Sequence, residues 1–240
     1  MKGFVLATQF LTRLPTPRVA ATAHDFAASI RWFPAVGLIV GMGVAGAAWA
    51  GAWLDAWCGA QAGLVAWVAI TGALHLDGLA DLADASGAAH RDRARLLAVL
   101  ADPHLGSFGA VALAVQVLAK LVLLHALVAQ GALAGVVLVP FVARIGPLAW
   151  ARWIAPLHAG LGARFAGVVR GRDLALWAVA LAVAALRCPA LLLAVPGIAL
   201  WGGWIVTRIG GISGDGHGAG IEWNETVLLL GLCVEARLWS

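Results

Sequence analysis

Carboxylates are scarce in this chain. It carries 12 Asp and Glu in 240 residues, and six of them fall in two short motifs. The first motif is His75-Leu76-Asp77-Gly78-Leu79-Ala80-Asp81-Leu82-Ala83-Asp84. On a helix of about 3.6 residues per turn, the i, i+4, i+7 spacing stacks Asp77, Asp81 and Asp84 on one face. Three carboxylates held that close repel one another unless a cation lies between them. Oxygen-only donors suit a hard divalent ion such as Mg²⁺.

The second motif runs from Arg208 through Gly210-Gly211-Ile212-Ser213-Gly214-Asp215-Gly216-His217-Gly218-Ala219-Gly220 to Glu222 and Glu225. Its glycines let the backbone turn tightly and come close to a phosphate. A helix starting near Ala219 would aim free N–H groups at an anion. Asp215 is a candidate to complete the metal shell. Glu222 and Glu225, at i and i+3, share a helical face and are candidates for a further ligand or base. Arg208 and Gly214 join the substrate-binding candidates. The bland readings are a solvated helix end for the first motif and a flexible hinge for the second. Their coincidence in a chain so poor in acid argues against both.

A third element is Asp102-Pro103-His104-Leu105-Gly106-Ser107-Phe108-Gly109, where Pro and Gly mark a shaped turn. Asp102 and His104 are candidate contacts to substrate or metal, although His104 reads equally well as an interfacial turn residue. His75 and His217 adjoin the acidic motifs, and His75 is a substrate-binding candidate. Three widely separated histidines do not make a zinc site. Lys120 lies halfway along an apolar run, where a lysine is a functional candidate by default. It fits a carboxylate or phosphate partner, or a structural salt bridge. Arg144 has the same two readings.

Carboxylates, a hard metal, a glycine turn and a few basic groups are the parts of a phosphoryl-transfer site. Catalysis there is mostly positioning and charge neutralisation. No Gly-x-x-x-x-Gly-Lys-[Ser/Thr] loop is present, which excludes a P-loop nucleotidase.

The elements that must position these groups are apolar. The chain is 62% hydrophobic and 12% charged, with mean hydropathy +0.92. Soluble domains carry roughly 25% charged residues. The expectation is therefore an all-α, polytopic membrane helix bundle forming one domain over residues 1–240. Apolar stretches at 33–54, 59–76, 108–129, 131–150, 174–186, 189–206 and 226–239 give six or seven spans, the fifth and last being short. Residues 3–14 read as an interfacial amphipathic helix stopped by Pro15 and Pro17. The polar stretch 77–107 reads as a loop or a pair of short helices. Trp32, Trp53, Trp57, Trp150, Trp153, Trp204 and Trp239 sit near span ends, where an interfacial belt would place them.

Basic residues set the orientation. Lys2, Arg13, Arg18 and Arg31 precede the first span. Arg91, Arg93 and Arg95 follow the second. Arg152, Arg164, Arg170 and Arg172 follow the fourth, and Arg208 follows the sixth. The other connections hold only Arg187. The N-terminus and both acidic motifs are thus expected on the cytoplasmic side. The net charge of +4 lies mostly in loops and speaks for orientation, with no nucleic-acid partner expected. Cys58, Cys188 and Cys233 lack metal-ligand spacing.

Two known kinds of membrane enzyme carry related patterns. Aspartates one turn apart are shared with CDP-alcohol phosphotransferases, but Ala80 is followed by Asp81 rather than Arg, and a further Gly-x-x-x-Asp is missing. The chain resembles the cobalamin synthase (adenosylcobinamide-GDP ribazoletransferase) family much more closely. The resemblance rests on Phe10-Leu11-Thr12-Arg13-Leu14-Pro15, Phe33-Pro34-Ala35-Val36-Gly37, Leu74-His75-Leu76-Asp77-Gly78-Leu79-Ala80-Asp81 with Asp84, Leu105-Gly106-Ser107-Phe108-Gly109, Lys120, Arg144, and Gly210-Gly211-Ile212-Ser213-Gly214-Asp215 with Gly218-Ala219. These matches run in order through nearly the whole chain. Asp102-Pro103-His104 departs from the family's Asp-Ser-Arg-like turn, and His217 stands where an apolar residue is usual.

The resemblance implies a bacterial inner-membrane transferase. It would join adenosylcobinamide-GDP to α-ribazole or its 5′-phosphate, release GMP and use Mg²⁺. It also makes a homo-oligomer or a cobalamin-assembly complex a reasonable association. An ion-coupled transporter is the other class to weigh. It would place the acids near the midplane between broken helices, whereas here they fall at span ends.

Overall fold

The computed structural model describes residues 1–88, 92–160 and 162–238. Arg91 of the expected basic loops and Trp239 of the expected aromatic belt lie outside them. Among the described residues every regular element is a helix, apart from a single parallel bridge between Pro156 and Ile212.

Helix α1 (Lys2–Leu11) ends before Pro15, and α2 (Ala23–Ala28) follows with a capping box between Thr22 and Asp25. The long apolar α3 (Phe33–Gly51) pairs with α4 (Ala56–Thr71). Helix α5 (Leu74–Ala88) carries the first acidic motif, and α6 (Arg93–Leu100) runs on from it to α7 (Ser107–Ala129). Three short pieces, α8 (Leu133–Val136), α9 (Val139–Ala143) and α10 (Gly146–Trp153), make a broken and largely buried span. Then come α11 (Gly171–Ala185), α12 (Ala194–Trp204) and α13 (Gly214–Leu238).

Four stretches are long and apolar enough to cross a membrane: 23–51, 107–129, 133–153 and 189–209. The α4–α5 pair makes a fifth if it counts as one broken span. This is a multi-pass membrane protein. The expected span at 59–76 is corrected in its second half. The chain bends by 85° after Thr71, at Gly72 and Ala73, both of positive φ. A left-handed residue after the last helical turn stops a helix, so His75 and the aspartates belong to a new helix. The expected 226–239 stretch is the lower part of the 25-residue α13, which starts at Gly214 rather than near Ala219.

Small residues let the core close. A Cβ on Gly37 would strike the Pro140 backbone, and one on Gly41 the Val137 backbone, so α3 lies directly against the broken span. Close approach of this kind replaces the hydrophobic effect as the source of packing within lipid. Helix α1 buries Ala7 and Leu11 against Phe33, Val36 and Leu148, which makes it part of the bundle as well as a surface helix. Trp32, Trp53, Trp57, Trp153 and Trp204 are exposed, as a belt requires. Trp150 is the exception: it is buried, and its indole N–H donates to the Ile198 carbonyl at 3.0 Å.

The basic connections gather at one pole. Phe10, Phe26, Phe33 and Phe165 form one aromatic cluster, with ring centroids 5.3–6.0 Å apart. Arg93 donates to the Leu157 carbonyl at 3.2 Å. The Ile212 N–H donates to Ala155, and the Leu157 N–H to Ile212. The segments around 10–33, 93, 155–165 and 210–215 are thereby tied together.

Candidate active site

The two acidic motifs meet. Helices α5 and α13 pack antiparallel, with Gly78 facing Asp215 and His75 facing Gly218. A Cβ on Gly78 would come within 2.9 Å of the Asp215 Cα, and one on Gly218 within 3.3 Å of the His75 Cα. Glycine is needed at Gly78 to let the two aspartate-bearing backbones touch. Asp77, Asp84 and Asp215 all lie close enough to Asp81 to act on it electrostatically. Ser213 caps α13, its Oγ accepting from the Gly216 N–H at 3.0 Å.

A census of the carboxylates separates structural from available ones. The six acids outside the two motifs all accept backbone N–H groups. Asp25, Asp55, Asp92 and Asp173 do so at helix starts. Asp102 does so for the His104 N–H, and Glu235 for the Ala190 N–H. Within the motifs, Asp84 is buried and takes the Gly106 N–H on one oxygen and the Gly109 N–H on the other, each at 2.8 Å. It caps the start of α7 from a neighbouring helix. Both its oxygens are engaged there.

Glu222 and Glu225 are engaged as well. They lie about 10–15 Å further along α13 than Asp215, at ~1.5 Å per residue. Lys120 of α7 bridges Glu222 at 2.7 Å and Glu225 at 2.6 Å. Arg144 donates to Glu225 at 2.9 Å, and Gln116 to Glu222 at 2.7 Å. All four charged groups are buried, two positive and two negative. A neutral, hydrogen-bonded quartet is what an apolar interior tolerates. It pairs Lys120, Arg144, Glu222 and Glu225 with one another.

Asp77, Asp81 and Asp215 remain. Among the described residues Asp77 and Asp81 have no hydrogen-bond or ion-pair partner, and Asp215 has only the Ser213 hydroxyl at 3.4 Å. Asp77 is exposed, and the other two are partly exposed. His158 acts on Asp215 electrostatically. It sits in the loop that pairs with Ile212, and no spacing in the sequence links it to the acids. Asp102 and His104 pair with each other at 2.6 Å on the surface, before α7. The His104 ring holds the Asp102 carboxyl below the usual carboxylate range. Neither is brought to the three aspartates. Arg208 is exposed just before the glycine turn, and Gly214 opens α13.

No group of three or more His, Cys, Asp or Glu among the described residues forms a ready metal cage. The donor set still fits Mg²⁺, which is usually held by one or two carboxylates with waters and substrate phosphates completing the shell. Three carboxylates without an ion pair among the described residues are chemically suited to that.

A family model described as cobalamin-5-phosphate synthase matches residues 3–233. The chain belongs to this family. A relative in Novosphingobium aromaticivorans named adenosylcobinamide-GDP ribazoletransferase is 62% identical, with all of this chain and 98% of that protein covered. Relatives of the same name in Laribacter hongkongensis and Thiobacillus denitrificans are 51% and 48% identical. The first match covers 99% of both chains, and the second covers 96% of this chain and 94% of the relative. No solved structure matches. Membership in the cobalamin-5-phosphate synthase family replaces the CDP-alcohol phosphotransferase and transporter alternatives.

Proposed function

We propose that the chain joins adenosylcobinamide-GDP to α-ribazole or its 5′-phosphate by Mg²⁺-dependent phosphoryl transfer at the cytoplasmic face of the bacterial inner membrane. The observation that carries this reading is the census of acids. Nine of the twelve serve the backbone or the buried quartet, and among the described residues Asp77, Asp81 and Asp215 converge without an ion pair, with His158 acting on Asp215 electrostatically.

The reaction balances simply. A ribazole hydroxyl oxygen bonds to the phosphorus on the cobinamide side of the pyrophosphate. The P–O bond to GMP breaks, and GMP leaves with its phosphate. The hydroxyl proton passes to a carboxylate of the cluster, which is a competent acceptor at neutral pH. Asp77, Asp81 and Asp215 would hold the ion. Bound Mg²⁺ would neutralise phosphate charge and ease departure of the leaving group. The backbone around Gly214 and the exposed His158 and Arg208 are suited to the pyrophosphate oxygens. Lys120, Arg144, Glu222 and Glu225 fix α13 against α7 and α9, and so position Asp215.

The cytoplasmic assignment rests on basic connections that share a pole with the acids. GMP release by the detergent-purified protein, with both substrates supplied, is expected to require Mg²⁺. EDTA should abolish it and added Mg²⁺ restore it. Release that persists at full rate in EDTA would remove the metal from the mechanism.

A further inference from the structure

A cavity of about 120 Å³ opens beside the aspartates, between α1, α3, α5, α10 and α13. Phe10, Phe33, Phe165 and Ile221 form apolar walls, and Asp77 and Asp215 stand at its edge. Two buried histidines also line it, His75 at 3% and His217 at 6% exposure. Among the described residues neither ring nitrogen of His217 has a hydrogen-bond partner, and neither does Nε2 of His75.

The His75 tautomer follows from its other nitrogen. Arg144 lies 3.3 Å from Nδ1, and a guanidinium can only donate. Nδ1 is therefore the acceptor, and Nε2 carries the proton. A buried, unpartnered N–H in an apolar cavity is costly unless a ligand satisfies it.

We infer that this cavity receives the aromatic base of the ribazole acceptor, with the His75 Nε2–H donating to the base's free ring nitrogen. The inference rests on the activity proposed above and names the subsite for one of its two substrates. A benzimidazole joined to ribose through one nitrogen presents a single acceptor, no donor and an apolar edge. Guanine presents adjacent N–H donors beside a carbonyl acceptor, and the carboxylates that could answer the donors stand at the cavity's edge rather than among its apolar walls. Size admits one ring: a dry apolar cavity of ~150 Å³ holds benzene, so the space of about 120 Å³ takes only the carbocyclic ring of the base and leaves the rest towards the mouth. The carbocyclic end of the base therefore fills the aromatic walls and leaves the ribose at the edge, next to Asp77 and Asp215. The hydroxyl that attacks is then delivered to the carboxylates.

Equilibrium binding of α-ribazole to the wild-type protein, without the corrinoid, reads the cavity independently of turnover. His75→Asn keeps an oxygen where Nδ1 stands, and so keeps the Arg144 contact, but lacks the Nε2–H. His75→Gln places an amide N–H near the Nε2 position. We expect His75→Asn to weaken α-ribazole binding, and to raise its KM, by about tenfold, roughly one hydrogen bond's worth. His75→Gln should recover most of the loss. Free 5,6-dimethylbenzimidazole should compete with α-ribazole and leave the KM for adenosylcobinamide-GDP unchanged. Unchanged α-ribazole constants in His75→Asn, or a rise confined to the GDP substrate, would overturn the inference. If the wild type binds α-ribazole but releases no GMP, the cavity stands and the proposed activity falls.

Discussion

At the scale of single residues, a carboxylate's role is set by what satisfies it. Asp84 looks in sequence like the third member of a metal-binding stack. Its two oxygens instead hold the start of α7 through Gly106 and Gly109. Glu222 and Glu225 look like a second acidic pair for the site, yet each is neutralised by a buried cation. The distinction is testable at Glu225. Glu225→Gln leaves Lys120 and Arg144 with one carboxylate between them, and breaking a buried ion pair this way costs ~3–5 kcal/mol. Its thermal midpoint in detergent should fall clearly. Adding Lys120→Met restores charge balance and should recover much of the loss. A normal midpoint with an altered Mg²⁺ requirement would instead return Glu225 to the metal site.

At the scale of elements, the site depends on two helices that approach closer than side chains allow. Gly78 puts α5 against the Asp215 backbone. Gly78→Ala has to push the helices apart, at an overpacking cost of about 1–3 kcal/mol. A sub-ångström displacement of Asp215 from Asp81 matters more to catalysis than to folding. GMP release by Gly78→Ala is expected to fall at least tenfold, with the protein still folded and monodisperse. Wild-type activity would show that the contact is incidental. The sequence made much of this legible. The i, i+4, i+7 spacing in a chain poor in acid pointed to α5, and the glycine run around Asp215 pointed to its partner. The break at Gly72-Ala73 was hidden, because the apolar run continues to Leu76 across a bend that only backbone conformation reveals. The engagement of Asp84 and of both glutamates was hidden too, because their partners are 22 to 106 residues away in sequence. His158 gave no signal, since a loop histidine becomes meaningful only when its loop pairs with Ile212.

At the scale of the whole molecule, a bundle with exposed apolar flanks holds a small polar device at one pole. A buried, charge-balanced quartet locks α7, α9 and α13 about 10–15 Å below the aspartates, at ~1.5 Å rise per residue. Loops from four parts of the chain, tied by Arg93, Phe165 and Ile212, close around the same pole. Membership in the cobalamin-5-phosphate synthase family and the three unpaired aspartates then bear on one question, namely whether those aspartates carry the transfer. The most direct measurement is GMP release from adenosylcobinamide-GDP and α-ribazole by detergent-purified wild type and Asp81→Asn, each titrated with Mg²⁺. The wild type should release GMP only with Mg²⁺, and Asp81→Asn should lose at least a hundredfold, about 2.7 kcal/mol in the barrier, while remaining folded. Full Mg²⁺-dependent release by Asp81→Asn would contradict the account.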